Sequence, residues 1–218
     1  MARKALVFTA HPYDDILACG GTLLKLRESG FEIRHVYFSA GPAKDRQEIA
    51  KGLDAMSQVL TSQFRVLDYE VGRISEEPKR DIIGVIESEI ADFQPDWILT
   101  NNGNDVNIDH RTIFEASMIG ARPSQPSCEK VLAFNLYTGS EWTPPIDRYG
   151  NRNNFYSDIS GFLDRKIELC RLFPTEMRES PHPRSVEAIR GSAMLEGTQV
   201  GLHAVEGFQL IREEAVLI

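Results

Sequence analysis

Residues 11–15 read His-Pro-Tyr-Asp-Asp, an imidazole and two carboxylates within five positions. They follow a short apolar run, residues 5–10, whose β-branched and aromatic members mark a buried strand. Imidazole nitrogen and carboxylate oxygen are the usual ligands of a catalytic zinc that keeps one position open for water. A second segment, residues 101–110, reads Asn-Asn-Gly-Asn-Asp-Val-Asn-Ile-Asp-His and comes after another apolar run. His11, Asp14 and His110 could together supply two imidazoles and a carboxylate, with room for a water whose pKa falls toward ~7 on zinc. Each cluster alone has a plainer reading. A histidine at a strand end often serves a turn, and Asn/Asp/Gly clusters make turns and helix caps, so Asp109 could simply cap the next helix.

The elements that must position these residues are legible from periodicity. Residues 5–10, 33–39, 64–69, 97–100 and 130–137 read as strands. Between them lie helical segments at 22–29, 45–60 and 78–93, and one that starts near Asp109. Strict alternation of this kind predicts an α/β fold, a Rossmann-like, mainly parallel sheet with helices on both faces, in a single domain over residues 1–218. Ligands of such sheets sit beyond the carboxyl ends of the strands. Residues 11–15, 39–44 and 101–110 therefore share one rim. Further on, 138–158 reads as loop, 159–173 and 185–196 as helix, Pro181-His182-Pro183 as a rigid break and 208–211 as a last strand. The segment Cys19-Gly20-Gly21-Thr22 is not a GxGxxG turn. Its glycine pair is expected to let a helix approach the sheet closely.

Composition narrows the function classes. The 218 residues include 32 acidic and 24 basic side chains, a formal charge of −8. Such a balance offers no general attraction for nucleic acid. Three cysteines, an odd number with no CxxC pair, fit reduced thiols and a cytoplasmic location. No apolar run approaches the ~20 residues that span a bilayer. The expected partner is a small molecule, with no nucleic acid and no integral membrane segment. A homo-oligomer stays open.

The sequence resembles the PIG-L/LmbE-type deacetylases, metal-dependent enzymes that remove N-acetyl groups from amino sugars and glycoconjugates. The resemblance rests on AHPYDDILACGGTL at the first strand, where the family has AHPDD and a GCGGT-like segment, and on Asp105-Val-Asn-Ile-Asp-His-Arg111, which matches DLNxDHR. One bacterial branch adds three distal segments, here PHPRSVEAIR, GTQVG and VEGFQLIR. The resemblance implies that His11, Asp14 and His110 are metal ligands, with zinc or another divalent metal as cofactor. It also implies that Asp109 orients an imidazole from behind the ligands. Asn107 stands where some relatives carry a histidine. It could donate a hydrogen bond to an oxyanion but could not act as an acid.

One departure bears on catalysis. The family's general base is the aspartate after the proline, and here that position is Tyr13. A phenol with a pKa of ~10 is a poor base at neutral pH. Asp15 could take over, Tyr13 could be ionised by the metal or act as a hydrogen-bond donor, or the chain could have lost hydrolytic power. His182, held between two prolines, is a candidate for protonating the leaving amine. Arg73 and Arg184 are candidates for a substrate anion, and Trp142 for packing on a sugar ring. The sequence therefore predicts a zinc-dependent hydrolase that removes an N-acyl group from an amino sugar or glycoconjugate. The alternative is a catalytically impaired metal- or sugar-binding protein on the same fold.

Overall fold

The computed structural model describes residues 2–123, 128–136 and 153–214. Its elements in chain order are β1 (Lys4–Thr9), α1 (Asp14–Glu28), β2 (Glu32–Ser39), α2 (Arg46–Leu60), β3 (Gln63–Tyr69), α3 (Lys79–Phe93) and β4 (Trp97–Asn101). They continue with α4 (Ile108–Gly120), β5 (Lys130–Phe134), β6 (Phe155–Asp158), α5 (Leu163–Arg171), α6 (Val186–Val200) and β7 (Val205–Glu213). All seven strands form one sheet in the order β3-β2-β1-β4-β5-β7-β6. The first five run parallel, and β7 lies antiparallel between β5 and β6.

Alternation along the strands divides the apolar residues between two faces. Leu6, Phe8, Val36 and Ile98 pack under α3 and α4, with Ile82, Ile86 and Ile113. Ala5, Val7, Ile33 and Leu99 face α1, α2 and α5, with Leu23, Met56 and Ile167. Helices therefore cover both faces, and β1 is buried on both sides as a central parallel strand must be. β2 and β3 extend the sheet to one side of β1, and β4 and β5 to the other. The order reverses between β1 and β4, where a doubly wound sheet opens a crevice at its carboxyl rim.

Three local features differ from the sequence expectation. Helix α1 begins at Asp14, not at Thr22, and is bent at Cys19 (φ −136°, ψ 23°). The bend frees two backbone N–H groups past it. Gly21 and Thr22 donate them to the Glu206 carboxylate of β7 at 2.9 and 2.6 Å, and Lys166 of α5 closes on the same carboxylate at 2.7 Å. The glycine pair thus brings α1 against the sheet at β7 and against Ile159. A Cβ on Gly21 would meet Ile159 Cγ2 at 2.9 Å.

Within the stretch expected to be loop, Phe155–Asp158 forms β6, paired with β7. Four residues, three of them half-buried, beside an asparagine run carry almost no period-2 signal, so the pairing is set by β7. Strand β5 ends at Phe134, and Tyr137, expected in it, lies outside the described residues. Among the described residues no helix is long and apolar enough to cross a membrane.

Candidate metal centre

The end of β1 is tied to the end of β4, because Asn101 Oδ1 accepts the Ala10 N–H at 2.9 Å. This bond brings the two chemistry-bearing segments together. His11 leaves β1, and its N–H donates to Asp14 Oδ2 at 3.1 Å, so the carboxylate that opens α1 closes a tight turn. Tyr13 between them takes a left-handed conformation (φ 85°). That backbone costs a non-glycine residue roughly 1–2 kcal/mol and persists only where the surroundings enforce it. His110 stands in the first turn of α4. The helix is capped by Asn107, whose Oδ1 accepts the Asp109 N–H at 2.9 Å.

Three atoms of metal-ligating type from these segments meet. His11 Nδ1 lies 3.2 Å from His110 Nε2 and 3.4 Å from Asp14 Oδ2, and His110 Nε2 lies 3.3 Å from the same oxygen. This is a nearly equilateral triangle. Ligands 2.0–2.1 Å from a tetrahedral zinc sit about 3.3 Å apart, so the spacing and the donor types fit a divalent metal.

The other ring nitrogens face carboxylates. Asp109 Oδ2 is 3.0 Å from His11 Nε2, and Asp109 is itself pinned by the backbone N–H groups of Gly72 (2.6 Å) and Ile74 (3.1 Å). Asp105 Oδ2 is 3.0 Å from His110 Nδ1, while its Oδ1 accepts the Asn107 N–H at 2.7 Å. With their outer nitrogens facing carboxylates, both imidazoles present their inner nitrogens to Asp14.

The electrostatics stem from this crowding. Burial lowers the pKa of His110, but the charge of Asp14, with Asp105 behind, outweighs it and raises the value from 6.5 to about 10. His11 also rises, as the bonds to Asp109 and Asp14 overcome its burial. Burial would raise the Asp14 carboxyl. The two histidines reverse that and hold it well below the usual carboxylate range. The raised values favour a proton on the histidine pair wherever no cation is bound.

A cavity of about 190 Å³ opens over the triangle. Pro12, Gly41, Pro42 and Val71 form part of its wall, at the ends of β1, β2 and β3. Asn107 lines it from α4, and Glu176 and Arg184 from the segment between α5 and α6.

The remaining candidates fall elsewhere. The Asp15 carboxylate is fully buried and turned toward β2, where His35 Nδ1 lies at 2.6 Å and the Tyr37 hydroxyl donates at 3.0 Å. It is not part of the cavity wall. The Tyr13 hydroxyl is also buried and donates to Met177 Sδ at 3.3 Å, with the ring against Phe173. Burial pushes that phenol far above its ordinary value of 10. Arg73 does not reach the cavity, for it is exposed and paired with Glu70 and Glu76. His182 is half-buried outside the wall, where its Nδ1 accepts the Arg184 N–H at 3.0 Å and so fixes the backbone that presents Arg184. Trp142 lies outside the described residues. Sequence reasoning missed Asp105 and Glu176. The spacing of Asp105, five residues before His110, is a usable signal; Glu176 has none.

Asp15 thus joins α1 to β2 in a dry interior. Asp15→Ala leaves His35 Nδ1 and the Tyr37 hydroxyl without their acceptor. A loss of about 2–4 kcal/mol is expected, measurable by urea unfolding.

The family model described as PIG-L, GlcNAc-PI de-N-acetylase, matches residues 6–119, just over half of the chain. The chain belongs to the PIG-L family. The matched region contains the whole triangle and both supporting aspartates, but stops before Glu176 and Arg184.

Solved structures agree in fold. The 4-carboxy-2-hydroxymuconate hydratase GalB of Pseudomonas putida superposes with a TM-score of 0.79 at 17% identity, over 99% of each chain. The N,N'-diacetylchitobiose deacetylase of Pyrococcus horikoshii gives 0.75 at 17% identity, over 96% of this chain and 84% of that one. The A40926 pseudoaglycone deacetylase Dbv21 gives 0.75 at 16% identity, over 99% of this chain and 100% of that one. No curated protein sequence matches the chain. A fold shared by a hydratase and deacetylases does not choose the reaction, so the choice for this PIG-L protein rests on its site.

Proposed function

We propose that the protein is a zinc-dependent hydrolase that removes an N-acyl group, acetyl in the first instance, from an amino sugar or glycoconjugate. Membership of the PIG-L family supports an N-deacetylase activity. The observation that carries the metal is the 3.2–3.4 Å triangle of His11 Nδ1, His110 Nε2 and Asp14 Oδ2. Zinc held by these three residues supplies a polarised acyl carbonyl and a water acidic enough to attack near neutral pH. Asp109 and Asp105 keep the imidazoles oriented. Asn107 spends its Oδ1 on the Asp109 N–H, which leaves its amide NH₂ to donate to the oxyanion. Arg184 Nη1 is paired with Glu176, which leaves its other N–H groups for an anionic part of the substrate. The three cysteines are free and buried, in keeping with a reducing cytoplasmic setting.

The test is acetate release from a panel of N-acetylated amino sugars and glycoconjugates, with zinc, with chelator and after zinc is restored. Release that tracks zinc through the cycle is expected. Stoichiometric zinc binding without release from any substrate favours the second reading, a non-catalytic binding protein. Tyr13, at the position where the family carries its base, is the observation behind that reading.

The proton held by the histidine pair makes metal uptake pH-dependent. Only deprotonated imidazole binds zinc, so loading the site at pH 7–8 is expected to release at least one proton. Apparent affinity rises about tenfold per pH unit for each proton released, up to about pH 10 where His110 titrates. Stability of the metal-free protein moves the opposite way. The raised His110 pKa stabilises the fold fully below about 6.5, and that contribution fades as pH rises through about 10. Calorimetric zinc titrations and urea unfolding across pH 6–10 check both signs.

A further inference from the structure

We propose that Glu176 is the proton acceptor of this hydrolytic site. The inference rests on the hydrolase reading above and deepens it. Amide hydrolysis by water needs a group that takes a proton from the attacking oxygen and gives one to the departing nitrogen. The carboxylates near the rim can be sorted by what they already touch. Asp14 is shared by two imidazoles. Asp109 and Asp105 stand behind those rings. Asp15 is bonded into the core through His35 and Tyr37. The Tyr13 hydroxyl is buried on Met177 Sδ. Glu176 alone combines a carboxylate outside the ligand triangle with a place in the cavity wall, among the described residues. Its Oε2 accepts from Arg184 Nη1. Its Oε1 takes no hydrogen bond among the described residues and is available to a water.

The packing explains why Glu176 sits there. The Tyr13 ring lies 5.3 Å from that of Phe173, its hydroxyl donates to Met177, and the Arg184 guanidinium stands 5.9 Å over the ring. Phe173 O accepts the N–H groups of Glu176 (3.0 Å) and Met177 (3.3 Å). The segment that bears Glu176 is therefore seated on the residue next to Asp14 in the chain. Arg184 pairs with the carboxylate and aims it.

The proton balance is closed. Glu176 Oε1 accepts a proton from the attacking water as the new C–O bond forms at the acyl carbon. The carboxylic acid then returns that proton to nitrogen as the C–N bond breaks, leaving a carboxylic acid product, an amine and Glu176 as it began.

Glu176→Gln keeps an oxygen for Arg184 and removes only the basicity. The variant is expected to fold and to bind zinc as the wild type does, and to lose about 10²–10⁴-fold in kcat. A second measurement needs no turnover. Calorimetry of acetate binding to zinc-loaded protein, in buffers of different ionisation enthalpy, counts protons taken up. Wild type is expected to take up more protons than Glu176→Gln; the difference reports the carboxylate facing the bound anion, because the water on the metal can take up protons in both. Hydrolysis by the variant within threefold of wild type, or unchanged proton uptake, overturns the proposal. Absence of acetate release from wild type on every substrate overturns the hydrolase reading instead, and the proton count still decides whether Glu176 faces the bound anion.

Discussion

The His110→Ala protein is expected to hold no stoichiometric zinc and to release no acetate above background. Removing His110 opens the triangle and leaves one imidazole and one carboxylate three positions apart in the chain. Two ligands grip a tetrahedral cation far less firmly than three. The supporting carboxylates make the useful contrast. Asp109→Asn and Asp105→Asn keep all three ligands and disturb only ring orientation, so a 10–100-fold loss of zinc affinity is expected of each. Elemental analysis after equilibrium dialysis separates these outcomes. The ligand variant also strips a partner from the buried Asp14 carboxylate, which can cost about 3–5 kcal/mol of stability. Circular dichroism on the same samples, with His110→Gln as a milder substitution, keeps loss of metal distinct from loss of fold. Stoichiometric zinc in a folded His110→Ala protein would contradict the assignment of this ligand.

The residues that form the triangle were legible because strand ends are legible. Residues 5–10 and 97–100 announce buried parallel strands, and the residues just past a parallel strand must emerge at the carboxyl rim. Placement on the rim is all that such reasoning delivers. Asp14 and Asp15 are neighbours in one helical turn, yet one faces the cavity and the other the core, because successive helical residues point about 100° apart. Arg73 comes after a rim strand and still turns outward to Glu70 and Glu76. Glu176 reaches the cavity from a connection with no motif, through the packing of Phe173 and Met177 on Tyr13, a contact between residues far apart in the chain. Strand β6 was missed for a related reason. Its pairing is decided by the partner strand, and its own four residues carry no period to read.

Tyr13→Asp is the substitution the sequence alone recommends, because it restores a carboxylate after the proline. The structure predicts that it fails as a gain of function. The tyrosine ring is fully buried against Phe173 and Met177, and replacing a buried aromatic by a small residue costs about 3–5 kcal/mol. The new carboxylate adds desolvation beside Asp14 with no partner of opposite charge at hand except Arg184, which is already engaged by Glu176. Lower stability in urea and no rise in acetate release are expected. Tyr13→Phe isolates the hydroxyl. It removes one hydrogen bond to sulfur and leaves the ring packing intact, so a change under about 1.5 kcal/mol and activity within threefold of wild type are expected. A base or acid at this position would instead show a loss of about 10²–10⁴-fold in the phenylalanine variant. The pair of substitutions thus separates a packing residue from a proton-transfer residue. A side chain that matters for its volume tolerates Phe and rejects Asp. One that matters for its proton does the reverse.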